Sequence, residues 1–251
     1  MENKQKNVIK SISYNQHEIL YNIMQLYNNG QPFACDMTYS KGNFYGDFKI
    51  KKEEDVIEIT IPKPEYKFDV FPQTEDTVKI EPMKPLPLED GSIESIVYDP
   101  PFVIAPKECK SMKEGKKGSN VIQKRFSSFY PLSELFETYY FHLTEFKRVL
   151  KPEGIIVFKC QDTISSRKQI CTPSFVWFLC ECLGLTMVDK FVLNSKNRLI
   201  SGKHAKQEHS RRYESYFLVI KNTLKSKPKY LSFLSQNEYE ILLQNFIKNN
   251  T

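Results

Sequence analysis

The chain has 251 residues, a formal net charge of +6 and a pI near 8.8. Its hydrophobic content of 40% and charged content of 26% are ordinary for a globular protein, and its length suffices for one α/β domain with a substantial core. No apolar run approaches the roughly 20 residues of a membrane-spanning helix, which excludes that class of protein. The positive charge mildly favours an anionic partner such as nucleic acid.

The six cysteines show neither a CxxC pair nor a spacing suited to zinc. Cys35, Cys160 and Cys180 lie in apolar runs, so we expect them to be reduced core residues, as is typical of a cytoplasmic protein. No apolar signal region follows the first six residues, MENKQK. His204 and His209 suggest a metal ligand pair, but the dense positive charge around them favours phosphate contact, so we predict no metal site.

Apolar residues recur at helical spacing in four parts of the chain. The predicted helices cover residues 14–28, 132–150 and 172–183 and a segment from Ser235 onward. Pro173 suits the first turn of the third helix, and Gly184 ends it. We assign residues 226–251 as a C-terminal helical tail that serves packing or a dimer surface.

Short apolar runs predict strands between these helices. They lie at residues 32–36, 66–70, 78–81, 96–98, 155–160, 187–193 and 216–220. We expect the last two strands to form the closing antiparallel pair of the sheet. Residues 47–62, in which Ile57, Ile59 and Ile61 alternate with polar residues, predict an irregular or hairpin-like excursion.

The strand at residues 96–98 ends abruptly. It is followed by Asp99, Pro100 and Pro101, and neither proline can donate a hydrogen bond to a neighbouring strand. Asp99 is therefore predicted at the carboxyl end of a strand, which is the edge at which open α/β sheets bind ligands.

This corner suits methyl transfer to a planar amino group, which is a poor nucleophile because its lone pair is delocalised into the ring. The Asp99 carboxylate and the rigidly held Pro100 carbonyl can both accept its N–H bonds and help to localise the lone pair toward the incoming methyl. The ring of Phe102 can hold the base by stacking, typically worth about 1–3 kcal/mol per base. We predict Asp99, Pro100, Pro101 and Phe102 as the catalytic residues.

Residues 99–102 (DPPF) resemble the (D/N)PP(Y/F/W) signature of amino-methyltransferases that use S-adenosylmethionine. The run over residues 85–102 is similar to that family's LP-acid-SxD-hydrophobic-DPPY passage, and residues 150–159 resemble its fifth-strand entry, LKPEGxxxxK. Residues 202–217 resemble phage and bacterial DNA (N6-adenine) methyltransferases. The resemblance implies an α/β, Rossmann-like class I methyltransferase fold with a mostly parallel seven-stranded sheet and an antiparallel last strand, spread over residues 1–251 as a single methyltransferase domain.

The same resemblance implies a site for S-adenosylmethionine. The loop after the first sheet strand looks like a degenerate form of the family's glycine-rich motif, DPxxGxG: Gly42 fits the later glycine, Ser40 stands for the other and Met37 replaces the proline. Asp69, at the end of the second strand, would accept from ribose hydroxyls or be a solvent-facing strand acid, and Glu81 falls near the adenine. The predicted cofactor-binding residues are Asp36, Thr38, Tyr39, Ser40, Gly42, Asn43, Asp69 and Glu81.

Two segments of the chain are rich in basic residues. Residues 103–128 form a basic flexible loop directly after the DPPF corner, and residues 195–213 form a second basic loop. Such charge runs are usually solvated, but the position of the first loop beside the DPPF corner favours its closure over an anionic substrate. The predicted nucleic-acid-binding residues are Lys113, Lys116, Lys117, Lys124, Arg125, Arg198, Lys203, His204, Lys206, Arg211 and Arg212.

The expected function is methyl transfer from S-adenosylmethionine to N6 of adenine in DNA, with N4 of cytosine as a variant. An RNA base or a protein side chain stays open as the substrate, because similar corners occur in enzymes that methylate those groups. A catalytically degenerate module that binds nucleic acid, or acts as a partner subunit, also stays open because the glycine-rich loop is altered. The sequence does not decide between a monomer, a homodimer and a partner subunit.

Overall fold

The structure, a computed structural model, describes residues 8–52, 55–102, 132–165, 167–196, 209–223 and 235–248. Its helices are α1 (Gln16–Tyr27), α2 (Leu132–Val149), α3 (Thr172–Leu183) and α4 (Gln236–Lys248). Each coincides with a helix predicted from apolar spacing. No described helix combines the length and the apolar character needed to cross a membrane.

Twelve strands accompany these helices within the described residues. They are β1 (Ile12–Ser13), β2 (Cys35–Asp36), β3 (Gly46–Lys52), β4 (Asp55–Ile61), β5 (Tyr66–Asp69), β6 (Val78–Lys79), β7 (Ile93–Tyr98), β8 (Leu150–Cys160), β9 (Thr163–Ser165), β10 (Lys168–Ile170), β11 (Thr186–Asn194) and β12 (Glu214–Lys221). The predicted excursion at residues 47–62 is the antiparallel hairpin of β3 and β4, and β9 pairs with β10 in a second small hairpin.

Eight of the strands form one sheet in the order β1-β11-β12-β8-β7-β2-β5-β6. In this sheet only β12 runs antiparallel to its neighbours, whereas every other pair is parallel. The prediction of a mostly parallel α/β sheet with an antiparallel last strand is confirmed at that level. The described sheet has eight strands rather than seven because Ile12 and Ser13 add a short edge strand beside β11.

Both faces of the sheet are covered, and alternate residues of the central strands serve opposite cores. Ile96, Ile156 and Phe158 pack with α2 and α3 on one face, whereas Val97 and Val157 pack with α1 and the β3–β4 hairpin on the other. The helix α4 lies against α2 and α3. A central strand buried on both faces reads as a continuous apolar run, which is why β7 and β8 show no alternation of polar residues.

The connection from β2 to β5 is unusual for a parallel pair of strands. Parallel neighbours are normally joined by a crossover helix, but the described residues between β2 and β5 contain no helix. The β3–β4 hairpin takes that place, and its Ile50, Ile59 and Ile61 pack against the α1 side of the sheet. The loop that leaves β2 therefore runs into a hairpin and does not begin a helix.

The predicted core cysteines Cys35, Cys160 and Cys180 are buried and free. Desolvation raises the pKa of the Cys35 thiol well above its ordinary value, which is typical of an inert structural cysteine. The helix stops agree with the sequence too: Gly184, after α3, adopts the left-handed conformation with φ of 65°, and Asn15 caps α1 by accepting a hydrogen bond from the His17 backbone N–H.

Candidate active site

The strand order reverses between β2 and β7. The chain leaves β2 toward β5 on one side and leaves β7 toward β8 on the other. In open α/β sheets the crevice outside the carboxyl ends of the strands at such a switch point is the usual ligand site. Asp36 ends β2 and Asp99 directly follows β7, so the structure brings these two predicted site residues together at that point.

Asp36 is buried and its carboxylate is occupied by neighbours in the same chain. Its Oδ2 accepts a hydrogen bond of 2.7 Å from the Tyr45 hydroxyl, and its Oδ1 accepts from the Thr38 backbone N–H at 2.8 Å. Desolvation outweighs these bonds and raises the pKa of Asp36 to about 7. Asp36 is 1% exposed, so it stabilises the loop after β2 from the buried side of that loop.

Thr38 connects the end of β2, at Asp36, with the end of β7, at Asp99. Its hydroxyl lies 3.4 Å from Oδ1 of Asp36, to which it donates, and it accepts a hydrogen bond of 2.7 Å from the backbone N–H of Asp99. The Met37 N–H also donates to the Val97 carbonyl at 3.0 Å. The loop after β2 is therefore bonded directly to the end of β7.

The Asp99 carboxylate is held by a lysine that the sequence analysis did not assign. Lys159 donates to Oδ2 of Asp99 at 2.9 Å, and its Nζ lies 5.1 Å and 5.4 Å from the ring centroids of Phe44 and Phe217. The signal was present in the sequence: Lys159 interrupts the apolar run at residues 155–160. The register, which pairs Tyr98 with Phe158, was needed to see that this lysine lies beside Asp99.

The predicted cofactor loop has the backbone geometry of a glycine-rich turn. Ser40 has φ of 50° and Gly42 has φ of 70°, so both adopt the left-handed conformation that glycine prefers. The Gly42 N–H donates to the Tyr39 carbonyl at 2.7 Å. A Cβ on Gly42 would lie 2.5 Å from the Tyr39 hydroxyl, so this position has no room for a side chain. Asn43 is exposed, and its carbonyl lies 2.9 Å from Nε2 of His17.

Asp69 fixes the far side of the same loop. Its Oδ2 accepts from the Ser40 backbone N–H at 2.8 Å, and its Oδ1 accepts from the Phe71 N–H at 2.7 Å. Desolvation raises the pKa of this half-buried carboxyl above its ordinary value. Each carboxylate oxygen can accept a second hydrogen bond, so these contacts leave capacity for ribose hydroxyls. Glu81 is exposed, two residues after β6, and lies 3.8 Å from Lys84.

The DPPF corner continues from Asp99 along the surface of α2. Pro100 is buried, whereas Pro101 and Phe102 are half-buried. The hydroxyl of Tyr139, a buried residue of α2, lies 3.5 Å from the Pro101 carbonyl, to which it donates. The corner thus lies against a rigid helix on one side, while Phe102 keeps part of its ring accessible.

Of the predicted nucleic-acid-binding residues, two lie within the described residues. Arg211 is exposed. Arg212 is half-buried and donates to the Ser210 hydroxyl at 2.7 Å and to Oε1 of Gln169 at 2.6 Å, so its guanidinium ties the second basic loop to β10. Lys113, Lys116, Lys117, Lys124, Arg125, Arg198, Lys203, His204 and Lys206 lie outside the described residues.

A further acid, which the sequence analysis did not assign, lies at the same edge of the sheet. Asp162 follows β8, and its Oδ1 accepts from the Thr172 backbone N–H at 3.1 Å, where it occupies the start of α3. Desolvation raises its pKa. Within the described part of the chain, no group of three or more His, Cys, Asp or Glu side chains is placed to hold a metal ion.

The chain was compared with protein families, curated proteins and solved structures. No protein-family model and no curated protein matches the chain. Among solved structures, the chain is similar to the complex between the Haloferax volcanii Trm112 methyltransferase activator and a candidate methyltransferase, with a TM-score of 0.41 and 11% sequence identity over 83% of this chain and 94% of that one.

Proposed function

We propose that the protein transfers a methyl group from S-adenosylmethionine to the exocyclic amine of a nucleic-acid base, in the first place N6 of adenine in DNA. The observation that carries the proposal is the exposure and the hydrogen bonding of the Asp99 carboxylate at the switch point. Its Oδ2 is bound by Lys159, no described residue donates to its Oδ1, and its side chain is 24% exposed. A carboxylate that is fixed at one oxygen, and whose other oxygen has no donor among the described residues, is what an amine donor requires.

The neighbouring loop suits the cofactor. When bound, S-adenosylmethionine supplies an electrophilic methyl group on a sulfonium. The left-handed backbone at Ser40 and Gly42 lets main chain approach a ligand closely, and Asp69 keeps acceptor capacity for a ribose. In this proposal Asp36 and Thr38 hold the loop in shape, whereas Tyr39, Asn43 and Glu81 line the cofactor's surroundings.

In the reaction that we propose, Asp99 and the Pro100 carbonyl accept the two N–H bonds of the substrate amine. This favours a pyramidal nitrogen whose lone pair points at the methyl carbon. The new N–C bond forms as the C–S bond breaks, which leaves a neutral thioether and a protonated secondary amine that releases its proton to solvent. Phe102 stacks on the base, and the basic loops offset the few kcal/mol needed to flip it out of a duplex.

The test is transfer of tritiated methyl from S-adenosylmethionine to unmethylated genomic DNA, total RNA and a protein lysate in parallel. Label recovered from DNA as methyladenine is the expected result. Label in RNA or protein would keep the Asp99 chemistry and replace the substrate. A nucleic-acid substrate should also bind with an affinity that falls steeply with salt, whereas a protein substrate should not.

The altered loop keeps a second candidate open. Ser40 replaces a glycine of the family motif and Met37 replaces its proline, which favours a degenerate module that binds nucleic acid or serves as a partner subunit or homodimer. Isothermal titration with S-adenosylmethionine separates the two: no cofactor binding together with retained DNA binding would favour the module over the enzyme.

A further inference from the structure

Lys159 occupies a position at which the fold calls for an apolar side chain. Ile155, Val157 and Lys159 alternate along β8 toward the α1 face of the sheet, and the first two belong to its core. The lysine side chain is only 12% exposed. Lysine is almost never buried to this degree unless it is paired, and its partner here is Asp99, 2.9 Å from Nζ.

Fold stability does not explain this pair. Burying two opposite charges costs about as much desolvation free energy as their attraction returns, and apolar residues of similar volume are often equally or more stabilising. The aromatic rings of Phe44 and Phe217 lie 5.1 Å and 5.4 Å from Nζ and add a favourable cation–π contact. These rings also confine the ammonium group, so that Nζ is held at one place beside the carboxylate.

We infer that Lys159 is a positioning residue for the methyl-acceptor site. It holds Oδ2 of Asp99 and thereby leaves Oδ1 as the acceptor for the substrate amine. The Lys159 ammonium balances the negative charge of the Asp99 carboxylate and fixes its direction, so Asp99 acts as an oriented acceptor. Because Phe44 belongs to the loop predicted to hold the cofactor, Lys159 also joins that loop to the target corner. The inference rests on the proposed function for its catalytic consequence, but its structural part stands on the geometry alone.

If Lys159 positions Asp99, the activity of the variant Asp99→Asn should depend on Lys159. A lysine with a purely structural role would not have this effect. In the variant Asp99→Asn, Lys159 would still donate to the side-chain oxygen, and the amide nitrogen would then face the substrate amine. Two donors would oppose each other, so Asp99→Asn should be nearly inactive. In the double variant Asp99→Asn/Lys159→Met the amide is free to turn its oxygen toward the amine. The second substitution should therefore restore activity that the first one removes.

The experiment compares kcat, KM, cofactor affinity and Tm for four variants. Lys159→Met should lower kcat by about 10- to 100-fold, the range typical of residues that orient a functional group, with cofactor affinity little changed. Lys159→Arg should retain part of the activity because it keeps the charge. Asp99→Asn should lose about 10²-fold, and the double variant should exceed Asp99→Asn about tenfold. Lys190→Met is the matched control, since Lys190 also lies over a ring, 5.6 Å from Tyr216, on the same sheet.

Crystal structures of Lys159→Met and Lys190→Met provide a readout that needs no activity. The Asp99 carboxylate should turn away in the first and stay in place in the second. If it keeps its orientation without Lys159, or if the double variant is no more active than Asp99→Asn, the positioning role is wrong. If the wild-type chain methylates neither DNA, RNA nor protein, the proposed function fails, while the carboxylate's orientation still decides the role of Lys159.

Discussion

The ends of β2 and β7 lie side by side at the switch point of the sheet, and each carries an aspartate. The two carboxylates differ in their exposure and in their hydrogen bonds. Asp36 is 1% exposed and receives its hydrogen bonds from Tyr45 and Thr38, whereas Asp99 receives one bond from Lys159 and keeps one oxygen without a donor among the described residues. A place at the ligand edge of a sheet does not by itself make an acid a ligand-binding residue. An acid at this edge can bind a ligand only if its carboxylate can still accept hydrogen bonds from the ligand after folding.

The largest expected effect comes from the β7 side of this comparison. Asp99→Ala should lower turnover by about 10²-fold or more, because an acceptor that faces the reacting amine is lost, while cofactor affinity measured by titration calorimetry stays nearly unchanged. Asp47→Ala serves as the control, since Asp47 is an exposed acid on the β3–β4 hairpin, and Thr60 is its donor within the described part of the chain. A variant at Asp99 that keeps more than roughly a tenth of the wild-type rate would remove Asp99 from the mechanism.

The contrast between the two acids also marks what the sequence could predict. The ends of elements could be predicted because their causes are local: the two prolines stop β7, and Gly184 stops α3. The placement of Asp99 at the ligand edge followed from those stops and from the parallel sheet. Apolar spacing likewise predicted the four helices that the structure describes.

The contacts that distinguish the acids could not be predicted, because they join residues far apart in the chain. Asp99 lies 60 positions from Lys159 and 61 from Thr38, and only the strand register brings them together. The hydrogen bond from Tyr45 that closes over Asp36 depends on the hairpin that replaces a crossover helix. The sequence motifs predicted both aspartates as site residues. They could not show that Asp36 is buried whereas Asp99 is partly exposed.

Thr38→Val should weaken the link between the two corners. Valine matches threonine in shape but cannot accept the Asp99 backbone N–H, and an unsatisfied buried donor costs about 1–3 kcal/mol. The free energy of unfolding, measured by urea titration, should fall by that amount. Thr38→Ser is the control, since it keeps the hydroxyl. Equal stability of the valine and serine variants would mean that the hydroxyl does not join the corners.

Asp36→Asn should change the dependence of stability on pH. The pKa of Asp36 is raised by burial from 3.8 to about 7, so the folded state binds this proton more tightly than the unfolded chain. Its contribution to stability is complete below about pH 4 and is lost as the pH rises through about 7. The wild type should therefore lose stability relative to Asp36→Asn between about pH 4 and about pH 7, by at most about 1.4 kcal/mol per pH unit. Parallel curves for the two proteins would contradict the raised pKa.

The smallest expected effect tests whether the altered loop keeps the geometry of a glycine-rich turn. Ser40, with φ of 50°, carries a left-handed strain of about 1–2 kcal/mol that glycine would relieve, offset by about 0.4–1 kcal/mol from the greater freedom of glycine in the unfolded chain. Ser40→Gly should therefore raise the free energy of unfolding by about 0–1.6 kcal/mol and leave the bond from its N–H to Asp69 intact. Gly42→Ala, whose Cβ would meet the Tyr39 hydroxyl, should change it in the opposite direction by about 1–3 kcal/mol. If both substitutions destabilise the protein equally, Ser40 does not stand in a glycine position.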